Sequence, residues 1–252
     1  MANNISVTVL TKNSEAWIGE CLSALEVFAE VVIIDNGSTD DTISIATGFR
    51  NVALYEHPFI GFGPLKNLAV DKASNDWILS VDSDEVVTPE LASEILSLNL
   101  DCNRLYAIER DNYYHRRLIR GCGWQNDIVQ RLFNRKSTRF NGKLIHEGLE
   151  KKENLKTEIL QGKLKHYSYD NASQLIHKMQ QYSSLWAEEH QGNTQASPFK
   201  ALLTGMLTFF KSYVLKNGWV YGYEGLLISI SNANGAFYKY IKLYEADSSH
   251  RL

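Results

Sequence analysis

Asp82 and Asp84 stand one residue apart, directly after the apolar run Trp77-Ile78-Leu79, so both carboxylates fall where a buried strand ends. Carboxylates are costly to bury unpaired. An alternating pair at a strand end is stabilised when a hard divalent cation sits between it and an anionic ligand. The chemistry on offer is a metal-diphosphate site. The plain alternative is a solvated acidic turn, because Asp-x-Asp is short, and the remainder of the chain must separate the two.

The elements that would position this pair alternate strand and helix. Ile5-Ser6-Val7-Thr8-Val9-Leu10 reads as a first strand. Thr11-Lys12-Asn13-Ser14 then offers a turn and helix cap, and Trp17, Ile18, Cys21, Leu22 and Leu25 recur at helical spacing. Val31-Val32-Ile33-Ile34 is a β-branched run of the kind buried on both faces of a sheet, ending in the turn Asp35-Asn36-Gly37-Ser38-Thr39-Asp40-Asp41. Val52-Ala53-Leu54-Tyr55 is a third strand, and Gly61-Phe62-Gly63-Pro64 precedes a helix carrying Lys66 and Asn67. The fourth strand delivers Asp82 and Asp84, and Thr88-Pro89-Glu90 opens the next helix with proline in its first turn. This order predicts an α/β fold with a parallel sheet covered by helices. Ligands in such sheets bind at the carboxyl ends of the strands, which here carry Thr11, Asp35 and Asp82. Neither a Gly-x-Gly-x-x-Gly turn after the first strand nor a phosphate loop ending in Gly-Lys-Ser/Thr occurs, which disfavours a nicotinamide enzyme and a P-loop ATPase.

Composition bounds the remaining classes. The 252 residues carry 26 Lys and Arg against 29 Asp and Glu, an ordinary balance that does not suggest nucleic acid as principal partner. Cys21, Cys102 and Cys122 are odd in number and form no close pair, which argues against a disulfide framework or a zinc site. The N-terminus shows no basic segment followed by an apolar run, so a cytosolic protein is expected.

Four stretches in order, Val9-Leu10-Thr11-Lys12-Asn13, Ile34 to Asp40, Lys66-Asn67 and Asp82-Ser83-Asp84, resemble the inverting GT-A glycosyltransferases of family two. In the second half, Gly123 to Asp127, Gln130-Arg131-Leu132-Phe133, Ile145-His146-Glu147 and Leu164-Lys165-His166-Tyr167 resemble the branch of lipopolysaccharide-core β-1,4-glucosyltransferases. One position departs: the turn Gly218 to Gly222 holds Tyr221 where that branch leads one to expect an acidic residue, which puts a heptose acceptor in question.

The resemblance implies a UDP-sugar donor, glucose first among the candidates, a lipopolysaccharide inner-core acceptor, and Mg²⁺ or Mn²⁺ as cofactor. Inverting transfer must stabilise a departing nucleoside diphosphate and deprotonate an acceptor hydroxyl. By resemblance Asp84 is the direct metal ligand, Asp82 holds the ribose or a second metal position, and His146 completes the metal shell or touches the diphosphate. Thr11, Asn13, Glu15, Asp35, Lys66, Asp82 and Ser83 fall on the nucleotide-sugar side, with Asp35 able to accept from a uracil ring nitrogen or simply to cap its own turn. The base is left between Asp127 and Glu147. The plain readings of Asp127 are a helix N-cap or a partner for Arg131. Trp124 and Arg131 fall on the acceptor side, although a large aromatic is commonly plain core. A sugar-phosphate nucleotidyltransferase is the rival enzyme, disfavoured because Thr11-Lys12-Asn13 replaces the glycine-rich basic loop it would open with; an inactive nucleotide-sugar-binding scaffold is the rival without activity.

The expected division is a catalytic domain over 1–168 and a helical region over 169–252. Leu175, Ile176, Met179, Tyr182, Leu185 and Trp186 recur at helical spacing, and Gln191 to Gln195 reads as a linker. Between Lys200 and Lys211 lie ten uncharged residues, too few to span a bilayer, which takes roughly 20. From Gln195 onward Lys200, Lys211, Lys216, Lys239, Lys242 and Arg251 oppose Glu224, Glu245 and Asp247. This segment is expected to lie on the inner membrane face, or to pack against the catalytic domain or a second subunit.

Overall fold

The computed structural model describes residues 4–142, 147–150 and 152–248. Two compact units divide the chain. The first gathers the residues up to Asp111 together with Asn126–His166, and the second gathers Asn112–Gln125 and the chain from Tyr167 on.

In the first unit β1 (Ile5–Thr11), β2 (Glu30–Asp35), β3 (Val52–Glu56) and β4 (Trp77–Asp82) lie side by side in the order β3-β2-β1-β4, all parallel. Helices α1 (Ile18–Ala24), α2 (Thr42–Ala46) and α3 (Phe62–Lys72) connect them, as the alternating pattern predicts. The β-branched residues Val31 to Ile34 are fully buried because helices cover both sheet faces: Ile33 packs with Ile18 and Leu22, and Ile34 with Leu65 and Ala69. Helix α1 begins later than the Thr11–Ser14 turn suggests, and no side chain caps it; Ser14 contributes its backbone carbonyl to the amides of Trp17 and Ile18 instead.

Beyond β4 the sheet continues with β8 (Asp127–Asn134), β6 (Arg104–Tyr114), β9 (Lys156–Tyr169) and β5 (Glu85–Val87), while β7 (Arg117–Leu118) pairs with β6. β8 runs antiparallel to both β4 and β6, and β5 antiparallel to β9. Between β5 and β6 lies α4 (Pro89–Ser97), capped by the Thr88 hydroxyl on the Leu91 amide with proline in its tolerated position. Strand β9 passes so close to α4 that a Cβ on Gly162 would lie 2.4 Å from Leu91 Cα.

The second unit is built on α5 (Ala172–His190), α6 (Pro198–Phe210) and α7 (Gly222–Ser248). A π-helical turn (Lys211–Leu215) and a 3₁₀ turn (Gly218–Tyr221) join α6 to α7. The carbonyl of Gly218 occupies the space a side chain on Gly225 would need, only 1.8 Å from its Cβ position, so the α7 start tolerates glycine alone there. No described helix is long and apolar enough to cross a membrane.

Candidate active site

The register of the parallel strands sets three strand ends abreast: Thr11 pairs with Asp35 across β1 and β2, and Leu10 with Asp82 across β1 and β4. Asp35 is fully buried and accepts from the amides of Gly37 and Ser38, each at 2.9 Å, and from the Ser38 hydroxyl, so turn capping is the role its visible contacts fill. Asn13, in the left-handed region at φ 50°, accepts from the Thr39 amide through its side-chain oxygen and donates its own backbone amide to Ser38 Oγ. Glu15 accepts from the Asp41 amide. Asn13 and Glu15 thus fasten the β1 and β2 turns together. The hydroxyls of Ser14 and Ser83 meet at 2.8 Å and tie in the turn after β4. Among these groups Thr11 Oγ1 and Asn36 Oδ1 are buried and lack a hydrogen-bond partner. Such groups cost stability unless something completes them, and they lie beside Asp35 at the carboxyl-end rim of the parallel strands, where sheets of this kind commonly bind ligands.

On the other side of β1, Asp82 and Asp84 have different surroundings. Asp82 ends β4 and takes Lys66 Nζ on one oxygen at 3.1 Å and Arg131 Nη2 on the other at 2.5 Å. Burial alone would push its carboxyl up, but Arg131 and then Lys66 hold it well below the usual carboxylate range. Burial likewise disfavours the charged guanidinium of Arg131, and Asp82 and Glu85 more than reverse this, raising its pKa. Asp84 lies in the turn between β4 and β5, more open, with His166 Nε2 3.5 Å from its carboxylate. His166 reaches this place because β9 pairs with β5 and sets it opposite Glu85.

Glu85 joins the two halves of the cluster. It is completely buried and receives Arg131 Nη2, Arg110 Nη1 at 3.1 Å and the Asp82 amide at 3.0 Å. Arg110 continues to Asp127 at 2.8 Å, and Lys66 continues from Asp82 to Glu147 at 3.0 Å. Asp127, Arg110, Glu85, Arg131, Asp82, Lys66 and Glu147 therefore form one run in which four carboxylates alternate with three cations. The run carries one excess negative charge before Asp84 is counted.

Asp127 is the first residue of β8, neither a helix cap nor a partner of Arg131; its cross-strand neighbour Arg110 takes it. Arg131 is buried and directed at Asp82 and Glu85, so its visible role is to hold the acidic pair.

The family model for glycosyl transferase family 2 matches residues 6–146. The chain belongs to that family. An uncharacterised glycosyltransferase of Rickettsia typhi is 30% identical, over 98% of this chain and 89% of its own length. The lipopolysaccharide core biosynthesis glycosyltransferase LpsC of Rhizobium meliloti is 26% identical, over 96% of this chain and 92% of its own. Among solved structures, S. aureus TarS residues 1–349 with UDP-GlcNAc aligns at a TM-score of 0.49 and 16% identity, covering 98% of this chain and 91% of that one. The chain is thus a glycosyltransferase, as its motifs lead one to expect, with an α/β fold and a lipopolysaccharide-core enzyme among its homologues.

Several residues of this glycosyltransferase join the acidic cluster although residue type and spacing alone do not point to them. Glu85, Arg110 and His166 are the three, and only His166 sits in a stretch that carries the family resemblance. Trp124 belongs to the second unit, where it stacks on Tyr169 with ring centres 5.7 Å apart. Tyr221 also lies there, its hydroxyl accepting from the Arg120 amide. His146 lies outside the described residues, and among those described no group of three or more His, Cys, Asp or Glu side chains is arranged to hold a metal.

Proposed function

We propose that this glycosyltransferase transfers a hexose, glucose first among the candidates, from a UDP-activated donor to a lipid-linked lipopolysaccharide inner-core acceptor, with inversion at the anomeric carbon. The observation that carries the donor assignment is the pair of buried, uncompleted groups Thr11 Oγ1 and Asn36 Oδ1 beside Asp35, a rim that offers hydrogen bonds to a nucleobase and ribose. The LpsC homologue supports the acceptor class.

The donor set fits a divalent cation at Asp84. Asp84 and His166 bring an anionic oxygen and an imidazole nitrogen within 3.5 Å of each other, chemistry suited to Mn²⁺ and, through the carboxylate, to Mg²⁺. Asp82 is held by two cations, and we assign the metal to the more open Asp84, with His146 a third candidate ligand. A bound Mg²⁺ or Mn²⁺ would neutralise the charge that grows on the departing diphosphate oxygen. Lys66, between Asp82 and Glu147 in the charged run, adds a second positive group for the same diphosphate. In the transfer, the acceptor oxygen bonds to the anomeric carbon as the bond to the β-phosphate oxygen breaks, and Asp127 or Glu147 takes the hydroxyl proton.

A binding panel of UDP-glucose, UDP-galactose, UDP-N-acetylglucosamine and GDP-mannose with Mn²⁺, followed by transfer to core oligosaccharide and NMR of the product anomer, tests the reading. Selective UDP-glucose binding and an inverted product support it. Preference for GDP-mannose, or a retained anomer, overturns it.

A further inference from the structure

Helix α6 is built with its side chains in the reverse of the usual arrangement. Its fully buried positions are the small residues Ala201 and Gly205, and at Gly205 a Cβ would stand 3.3 Å from the Ala233 carbonyl and from Phe237 Cβ on α7. Its large apolar residues point outward: Phe199 is 75% exposed and Met206 63%, and Leu202, Leu207 and Phe210 are more than half exposed. A helix that seats itself through small residues leaves much of the area of its large ones in solvent, and apolar patches of this kind mark contact surfaces. The apolar row continues past the helix through Leu215 to Trp219 in the 3₁₀ turn.

Charge identifies what the surface meets. From Pro198 to Tyr223 the chain holds Lys200, Lys211 and Lys216 and no acidic residue, although the whole chain is acidic by three charges. Lys200 and Lys211 are exposed. Large apolar side chains flanked by lysines, with a tryptophan at the margin, match an anionic bilayer surface, where apolar groups enter the acyl boundary, lysines meet headgroups and indole rests at the interface. A second copy of the chain would bring the same three lysines to the same patch and gains nothing from them.

We propose that the outward face of α6, continued through the π-helical and 3₁₀ turns to Trp219, is a membrane-insertion surface that lies in the headgroup plane of an anionic bilayer. The proposal deepens the lipid-linked-acceptor part of the proposed function, and its test uses no donor or acceptor, so its failure leaves the transfer reaction standing.

Flotation of the full chain with vesicles of phosphatidylglycerol and phosphatidylethanolamine, against phosphatidylcholine alone, is the experiment. Binding to the anionic vesicles is expected, weakened by salt. Met206→Ser with Phe210→Ser should lower partitioning by at least about tenfold, and Lys200→Gln and Lys211→Gln by about fivefold each. Unchanged circular dichroism and melting establish that the variants fold; should the serine pair unfold, the lysine pair and the tryptophan readout below decide. Lipids brominated in the shallow acyl region should quench tryptophan fluorescence of the native chain, and Trp219→Phe should remove most of that quenching. No flotation of the native chain, equal flotation of native and folded variants, or quenching unaffected by Trp219→Phe overturns the proposal. So does a native dimer, without vesicles, that the serine pair converts to monomer.

Discussion

Asp127 and Glu147 are the two ends of a single run of ion pairs, although neither touches the other. Arg110 holds the first and Lys66 the second, and Glu85, Arg131 and Asp82 lie between. Each candidate base is thus oriented by a cation that is itself fixed from behind. Asp127→Asn and Glu147→Gln keep shape and remove the proton acceptor. The true base should lose turnover by about 10²–10⁴-fold while UDP binding is retained. Steady-state kinetics with isothermal titration of UDP checks this, and a fall of less than tenfold in both variants removes both residues from the role.

Glu85 and Asp84 should separate stability from activity. Glu85 is fully buried between two guanidinium groups, and replacing it by Gln leaves Arg110 and Arg131 short of counter-charge. Breaking a buried pair of this kind costs about 3–5 kcal/mol. Asp84 is more open, and Asp84→Asn should change stability by less than about 0.5 kcal/mol while abolishing most Mn²⁺-dependent turnover. Urea unfolding of both variants, paired with assays in metal and in chelator, distinguishes them. Full activity of the native enzyme in excess chelator would remove the metal from Asp84.

Acid stability should report on Asp82. Its folded-state carboxyl lies below the unfolded value, so it contributes stability that is present above about pH 4 and is lost as pH falls through the lower folded value. In chelator, the urea midpoint of the native chain should fall in this acid range, and Asp82→Asn should show a shallower fall from a lower starting point. Parallel acid profiles for the two would mean that Asp82 gains nothing from Lys66 and Arg131.

The parallel half of the fold was legible because strands buried on both faces announce themselves as short β-branched runs, and a parallel sheet places their carboxyl ends together whatever the loops do. Thr11, Asp35 and Asp82 could therefore be named together from pattern alone. The charged run could not. Glu85 and Arg110 lie 25 residues apart and Arg131 and Asp82 49 apart, and their meeting depends on the antiparallel placement of β8 and β6 beside β4, which hydrophobic period does not encode. Asp127 shows the same limit, since sequence spacing points four residues along to Arg131, whereas its partner stands across the strand pair at Arg110. The approach of His166 to Asp84 likewise requires the β5–β9 pairing, which its own stretch Leu164-Lys165-His166-Tyr167 does not encode.

Packing between β9 and α4 offers a check on the fold that is independent of chemistry. A methyl on Gly162 would meet the backbone of Leu91, which cannot yield as a side-chain tip does. Gly162→Ala should destabilise by about 1–3 kcal/mol, the usual cost of overpacking. Chemical denaturation reads it directly, and a neutral result would mean that β9 does not pass α4 at this distance.

Thr11 tests the nucleotide pocket most directly. Its hydroxyl is buried without a partner, so exchanging it for a methyl in Thr11→Val removes an unmet polar group and should leave the ligand-free protein as stable as before or slightly more so. If uridine completes that hydroxyl, the same change removes a hydrogen bond from the complex and should weaken UDP binding by about fivefold, the worth of one net hydrogen bond of ~1 kcal/mol. The two effects have opposite signs, which separates a ligand contact from damage to the fold. Melting of the free variant and titration with UDP measure them side by side. A stable variant that binds UDP as tightly as the native chain would move the nucleotide away from the β1 end.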